Sequence, residues 1–297
     1  MASSSSSRDA PLVLSIQSHV AFGHVGNSAA VFPLQRMGIE VVAVHTVQFS
    51  NHTGYGEFRG QVFSAAHIEE VLEGLRARDV LERVGAVLSG YQGDAGTGEV
   101  ILGVVDEIRR QTPSALYLCD PVMGDVGRGI FVRPGIPEFM KRRAVPSADI
   151  ITPNQFEFEY LIDRPLVDTE DALKAARKLL EAHGDRLKCV VITSLATADV
   201  DSTRLRTLAV ERDAAWFVEA PRIPLSPLPN GMGDVFSAVF LGDYLQHGET
   251  AGALGHAVAT LSELIERTPQ GSRDLPLIQA QSSLCTPKVS YEVQPLE

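Results

Sequence analysis

The sequence predicts an α/β chain: a central, mostly parallel sheet with helices on both faces and an antiparallel hairpin at one edge. Three observations predict it. From Pro11 onward, short aliphatic and β-branched runs alternate with longer segments of helical period, the pattern of consecutive βαβ units. Two apolar runs flank the charged turn Glu211-Arg212-Asp213 and read as a hairpin added to the parallel sheet. No internal repeat or linker-like stretch interrupts the alternation, so residues 12–297 read as one domain behind a tail over residues 1–11.

The tail is a serine run, Ser3 through Ser7, without the apolar core of a signal peptide, and it reads as disordered. The strands then fall at Leu12–Gln17, Val41–Val47, Ala86–Leu88, Ala115–Cys119, Asp149–Ile151 and Val190–Thr193. Helices are expected between them at Asn27–Met37, Ile68–Ala77, Thr97–Gln111, Asn154–Ile162 and Asp171–His183, with Gly38 and Gly184 as C-terminal caps. Leu205–Val210 and Ala215–Val218 form the hairpin. A proline-rich connection, Pro221 through Pro229, leads into two closing helices, Gly233–Gln246 and Thr250–Arg267.

Composition removes several function classes. The 26 basic against 37 acidic residues give a net charge of −11, and no basic run offsets it, which argues against nucleic acid and anionic membrane surfaces as partners. Charges or prolines break every apolar stretch well short of the roughly 18 residues that cross a bilayer. Cys119, Cys189 and Cys285 are odd in number and form no CxxC pair, so neither a disulfide framework nor a zinc site is expected, and a reducing, cytoplasmic setting is.

In open α/β sheets ligands bind beyond the carboxyl ends of the strands, so the residues just after each strand are the functional candidates. The turn Gly23-His24-Val25-Gly26-Asn27 lacks GxGxxG spacing, and no GxxxxGK[ST], GxSxG or HExxH occurs. Gly93 through Gly98 has no lysine behind it and reads as a strand-to-helix turn.

The most informative segment is Pro229-Asn230-Gly231-Met232-Gly233-Asp234-Val235-Phe236-Ser237-Ala238. Two glycines let the backbone turn tightly into an apolar helix and aim consecutive N–H groups at an anion, with the positive end of the helix dipole behind them. Asp234, in the first helical turn, either complements that dipole or acts as general base on a substrate hydroxyl. In the second case the amides of Gly231, Met232 and Gly233 stabilise a transferring phosphoryl group.

Gly-x-Gly-Asp in this place resembles the signature of the ribokinase-like superfamily, and four further segments narrow the resemblance to the pyridoxal kinases. They are Ser15-Ile16-Gln17-Ser18-His19-Val20 with the glycine turn behind it, Val47 through Tyr55, Cys119-Asp120-Pro121-Val122-Met123-Gly124-Asp125, and Ile151-Thr152-Pro153-Asn154-Gln155-Phe156-Glu157. The resemblance implies a ribokinase-like fold and ATP-dependent phosphorylation of the 5′-hydroxymethyl group of pyridoxal, with pyridoxine and pyridoxamine as further substrates. It implies Ser18, Val47, Phe49, Thr53, Tyr91 and Asp234 around the vitamin, with His52 and Tyr55 on a lid loop. On the ATP side it implies Asp120, Asp125, Asn154, Glu157, Thr193, Ser194 and the Gly231–Gly233 amides. Mg²⁺ is implied near Asp120, Thr152 and Glu157, along with a monovalent cation such as K⁺ or Na⁺ near Thr152 and Glu157, and a homodimer.

On their own chemistry, Ser18 is also a turn serine, Thr152 and Glu157 also a helix start, and His19, His24 and His52 ordinary histidines. Two departures stand out. The family usually has threonine between the two glycines where this chain has Met232, and the approach Pro224–Asn230 is unusually proline-rich. A hydroxymethylpyrimidine or nucleoside kinase shares the cradle, and a non-catalytic vitamin B6 carrier shares the fold. A carrier has no use for Asp234, Asp120 and Glu157 together.

Overall fold

The computed structural model describes residues 11–297, so the tail expected over residues 1–11 lies, but for Pro11, outside the described residues. Ten strands form one sheet in the order β12-β11-β10-β9-β8-β5-β4-β1-β2-β3. Its centre is parallel: β1 (Leu12–Phe22), β2 (Val41–Asn51), β4 (Val84–Ser89), β5 (Leu116–Cys119), β8 (Ile150–Ile151) and β9 (Cys189–Leu195). The expected hairpin is present as β10 (Arg204–Val210), antiparallel to β9, and β11 (Ala215–Pro221), antiparallel to β10.

The sequence placed antiparallel strands at one edge; the structure has them at both. Beyond β2 lies β3 (Gly60–Val62), and β12 (Gln294–Pro295) closes the far side. Both are only two or three residues long, too short to leave a period in the sequence.

Alternation along the strands builds two cores. Val13, Ala86, Leu88, Leu118, Ile150 and Val191 face one side, where α1 (Asn27–Arg36), α8 (Met232–His247) and α9 (Thr250–Glu266) pack. Leu14, Ile16, Val87, Tyr117, Ile151 and Ile192 face the other, against α2 (Ala65–Arg76), α3 (Ala95–Gln111), α6 (Gln155–Leu161) and α7 (Thr169–Ala182). The other short elements are β6 (Gly124–Asp125), β7 (Gly129–Ile130), α4 (Ile136–Phe139) and α5 (Val145–Ser147). A wide π-type turn, Met140–Ala144, joins the last two helices.

The middle of helix α8 is apolar and buried all round. Every residue from Val235 to Leu241 is buried, and each large side chain there contributes roughly 1.5–3 kcal/mol by leaving water. That anchoring fixes the position of the helix's first turn, where Asp234 sits.

Strands β1 and β2 run longer than their apolar patterns suggest, because they go on pairing with each other past the end of β4. A register shift interrupts the pairing between Gln17 and His19. Ser18, expected at the end of the first strand, therefore lies within β1 at that irregularity.

Candidate active site

The site is built from strand ends and one helix start. Gly231 is the N-cap of α8 with φ of 78°, and a Cβ there would lie 2.0 Å from the His24 carbonyl oxygen, so only glycine fits the turn. Gly233 is exposed, leaving the first N–H groups of α8 open to the cleft. Gly26, with φ of 53° and ψ of −132°, caps α1, and a Cβ on it would strike the Ser18 carbonyl at 2.2 Å. Its N–H faces the Asp234 carboxylate, so Ser18, Gly26 and Asp234 form one contiguous wall.

Burial raises the pKa of Asp234, and the Gly26 N–H works against that rise. A raised carboxyl is a stronger base, which suits proton abstraction. Asp120, just past β5, is buried, and its backbone N–H donates to Ser89 at 2.9 Å. Ser237, one turn along α8 from Asp234, donates to Asp120 at 3.3 Å and shares a hydrogen bond of 2.8 Å with Thr152 at the end of β8. The Asp120 carboxyl is held well above its ordinary range by burial and by the negative charges of Glu157 and Asp234, against the two hydroxyls.

Glu157 is buried in the capping box of α6. It accepts from Met123 N–H at 2.8 Å and Gly124 N–H at 3.4 Å through one oxygen, and from Asn154 N–H at 3.0 Å through the other. Burial, with the Asp125 charge beside it, pushes it up to about 7 against the pull of those three N–H groups. Asn154 donates to the Gly124 carbonyl at 2.9 Å and pairs across to Thr193, whose N–H donates to Pro153 at 2.9 Å. Asp125, Asn154, Glu157 and Thr193 are thus brought to one side of the cleft. Ser194, exposed, follows with φ of 57°.

The other side gathers Val47, Phe49, Thr53 and Tyr91. Val47 is fully buried and, with Val62, packs so closely on Gly93 that a Cβ there would lie 2.6 Å from either side chain. Tyr91 is held by its carbonyl, which accepts from Thr46 at 2.8 Å, and burial raises its phenol. Phe49 meets Phe58 at 4.8 Å between ring centroids, and Thr53 is exposed in a short 3-10 turn, Thr53–Tyr55. His52 caps that turn by accepting from Gly54 N–H at 3.1 Å, and burial together with Arg128 lowers its pKa. The cap fixes its remaining proton on Nε2.

Met232 turns its side chain onto the apolar core around α8. The cradle therefore presents backbone N–H groups without a hydroxyl between the glycines.

Sequence reasoning missed four contributors. Ser237 had a signal, since i, i+3 spacing puts it on the Asp234 face of α8. Gly26 had half of one, as a glycine in a strand-to-helix turn. Arg273 and Asp274 had none: Asp274 accepts from His24 N–H at 3.1 Å, 250 residues away, and from the Tyr55 hydroxyl, 219 residues away.

Comparison with known proteins agrees with this fold. The family model described as phosphomethylpyrimidine kinase matches residues 63–276. A Rubrobacter xylanophilus protein named pyridoxal kinase PdxY is 52% identical over 284 residues, covering 95% of this chain and 96% of that one. A Deinococcus radiodurans protein of the same name is 46% identical over 96% of each chain. The pyridoxal kinase of Leishmania donovani, solved in complex with ADP and pyridoxamine, superposes with a TM-score of 0.88 at 35% identity over 96% of this chain and 99% of that one.

Proposed function

This chain belongs to the pyridoxal kinase family, and on that premise we propose how its cleft transfers a phosphoryl group from ATP to pyridoxal. The 5′-hydroxymethyl group lies against Asp234, with the pyridine ring among Ser18, Val47, Phe49, Thr53 and Tyr91. Asp234 takes the hydroxyl proton as the oxygen attacks the γ-phosphorus, the bond to the bridging oxygen breaks, and ADP leaves with that electron pair. The amides of Gly231, Met232 and Gly233, at the positive end of α8, stabilise charge spread over the transferring group. Pyridoxine and pyridoxamine present the same hydroxymethyl group and belong to the proposed substrate range.

The observation that carries this reading is the position of Asp234, which shares the Gly26 wall with Ser18 and stands in the first turn of the glycine cradle. Asp125, Asn154, Glu157, Thr193 and Ser194 line the proposed nucleotide side.

The residues present also fit a divalent cation. The Asp120, Glu157 and Asp234 carboxylates raise one another or are raised by burial, and the ion pairs of the described residues run elsewhere. Mg²⁺ usually keeps several water and phosphate oxygens as ligands, so one or two carboxylates suffice to hold it. Asp120, with Glu157 behind it, would hold that ion, which when bound neutralises triphosphate charge. A monovalent cation beside Thr152 and Glu157, and a homodimer, complete the proposal. No helix among the described residues is long and apolar enough to cross a membrane.

The test is ADP release from Mg-ATP with pyridoxal, pyridoxine, pyridoxamine or hydroxymethylpyrimidine, with and without K⁺, in the wild type and in Asp234→Ala. Pyridoxal turnover that falls at least about a hundredfold in the variant, with ligand binding kept, supports the assignment. Normal turnover by the variant removes Asp234 as base. Tight pyridoxal binding without ADP release by the wild type would point to a carrier.

A further inference from the structure

Arg273 and Asp274 lie between the last long helix and the carboxyl-terminal segment, outside every motif that carries the reaction, yet they touch three loops of the cleft at once. Asp274 accepts from the Tyr55 hydroxyl with one oxygen and from His24 N–H at 3.1 Å with the other. Its side chain also fills the space beside Gly23, where a Cβ would lie 2.6 Å away. The Arg273 guanidinium donates to the Gly54 carbonyl at 2.8 Å and lies 5.6 Å from the centroid of the Tyr55 ring. The Arg273 carbonyl accepts from both the backbone N–H of Asn230, at 2.8 Å, and its side-chain amide, at 3.1 Å.

The Asn230 and His24 contacts lead to the cradle. Asn230 directly precedes Gly231, and the His24 carbonyl is the atom that a Cβ on Gly231 would strike. From the other direction, Gly54 and Tyr55 belong to the turn after β2 that carries Thr53. The side chains therefore hold the loop over the vitamin, while the Arg273 main chain and the His24 contact hold the turn that receives the phosphoryl group.

We propose that Arg273 and Asp274 are positioning residues for phosphoryl transfer: they clamp the 52–55 loop to the Asn230–Gly231 turn, so that the loop's seat over the vitamin and the shape of the anion cradle are set together. This rests on the kinase reading above. A residue that only closed a lid would change the affinity for pyridoxal. A residue that ties the lid to the cradle changes the rate of the chemical step as well, through groups that touch neither phosphate nor the reacting hydroxyl.

The experiment is a double-mutant cycle on Tyr55→Phe and Asp274→Asn in the full chain, reading kcat and KM for pyridoxal at saturating Mg-ATP, with melting temperatures alongside. Tyr55→Phe keeps the ring beside the guanidinium and removes one hydroxyl. Each single variant should lower kcat about tenfold, the scale of a lost hydrogen bond to a charged group, and the double should be no worse than about twofold beyond the weaker single. Melting temperatures should stay within about 3 °C, since a change of that size or less corresponds to roughly 1 kcal/mol in a chain this long.

A rise in KM with kcat unchanged would overturn the clamp and leave a local lid. So would single effects that multiply in the double variant. If Asp274→Asn fails to fold, the kcat against KM split in Tyr55→Phe decides the matter alone. A wild type that releases no ADP with any vitamer removes the kinase reading and this inference with it, whereas unchanged kcat in the variants of an active wild type removes this inference only.

Discussion

Two aspartates are buried beside the same sheet, one at each end, and they are treated in opposite ways. Asp149, just before β8 at the amino end, is ringed by cations: Arg109 pairs with it, Lys188 Nζ lies at 3.0 Å and Arg186 at 3.9 Å, while Tyr117 N–H donates at 2.8 Å. Asp120, just after β5 at the carboxyl end, faces Glu157, Asp234 and two hydroxyls, and its pKa is driven up. Burying a charge is tolerable when it is paired and costly when it is crowded by its own sign. The amino end spends its charges on stability; the carboxyl end keeps negative charge in excess, where a cation and a triphosphate would be received.

The largest expected effect breaks the satisfied end. Arg109→Met removes the pairing guanidinium and its 2.9 Å bond to the Ser147 carbonyl, and should lower unfolding free energy by about 3 kcal/mol in a denaturant titration while the kcat of the folded fraction stays near wild type.

The next effect is a pH slope at the crowded end. The Glu157 carboxyl, ordinarily at 4.5, is pushed up to about 7, so its contribution favours the folded state below about pH 4.5 and is lost as pH rises through 7. Melts of the ligand-free protein from pH 5 to 8 should show this loss, at most about 1.4 kcal/mol per pH unit, and Glu157→Gln should flatten it. A slope that survives the substitution unchanged would assign it to other groups.

The smallest effect concerns the cradle. It is assembled from backbone N–H groups and a helix dipole, with Met232 turned to the core, so Met232→Thr adds a hydroxyl to the proposed anion site. KM for ATP should fall by about threefold, within the range of one net hydrogen bond, with kcat changed less. A large gain in kcat would instead mark Met232 as a lesion in the cradle.

Much of this was legible in the sequence, for local reasons. Parallel strands leave β-branched runs, α8 leaves an unbroken apolar stretch, and Gly231-Met232-Gly233-Asp234 marks a tight entry into a helix whatever surrounds it. What escaped is what depends on distant pairing. The outer halves of β1 and β2, from His19 to Phe22 and Gln48 to Asn51, are strands because they face each other, and their mixed composition shows no period. The Asp149 ring joins residues 32 to 40 apart, and the Arg273 and Asp274 side chains hydrogen-bond to residues 219 to 250 positions away, so neither leaves a spacing to read.

The central claim is that the two ends of the sheet use buried aspartate for opposite purposes. The direct test is to make Asp149→Asn and Asp120→Asn and measure melting temperature and pyridoxal-dependent ADP release for both. The account predicts that Asp149→Asn melts several degrees lower and keeps kcat per folded molecule, while Asp120→Asn melts at or above wild type at pH 8 and loses about a hundredfold in turnover. An Asp120→Asn protein that melts lower yet turns over normally would contradict it.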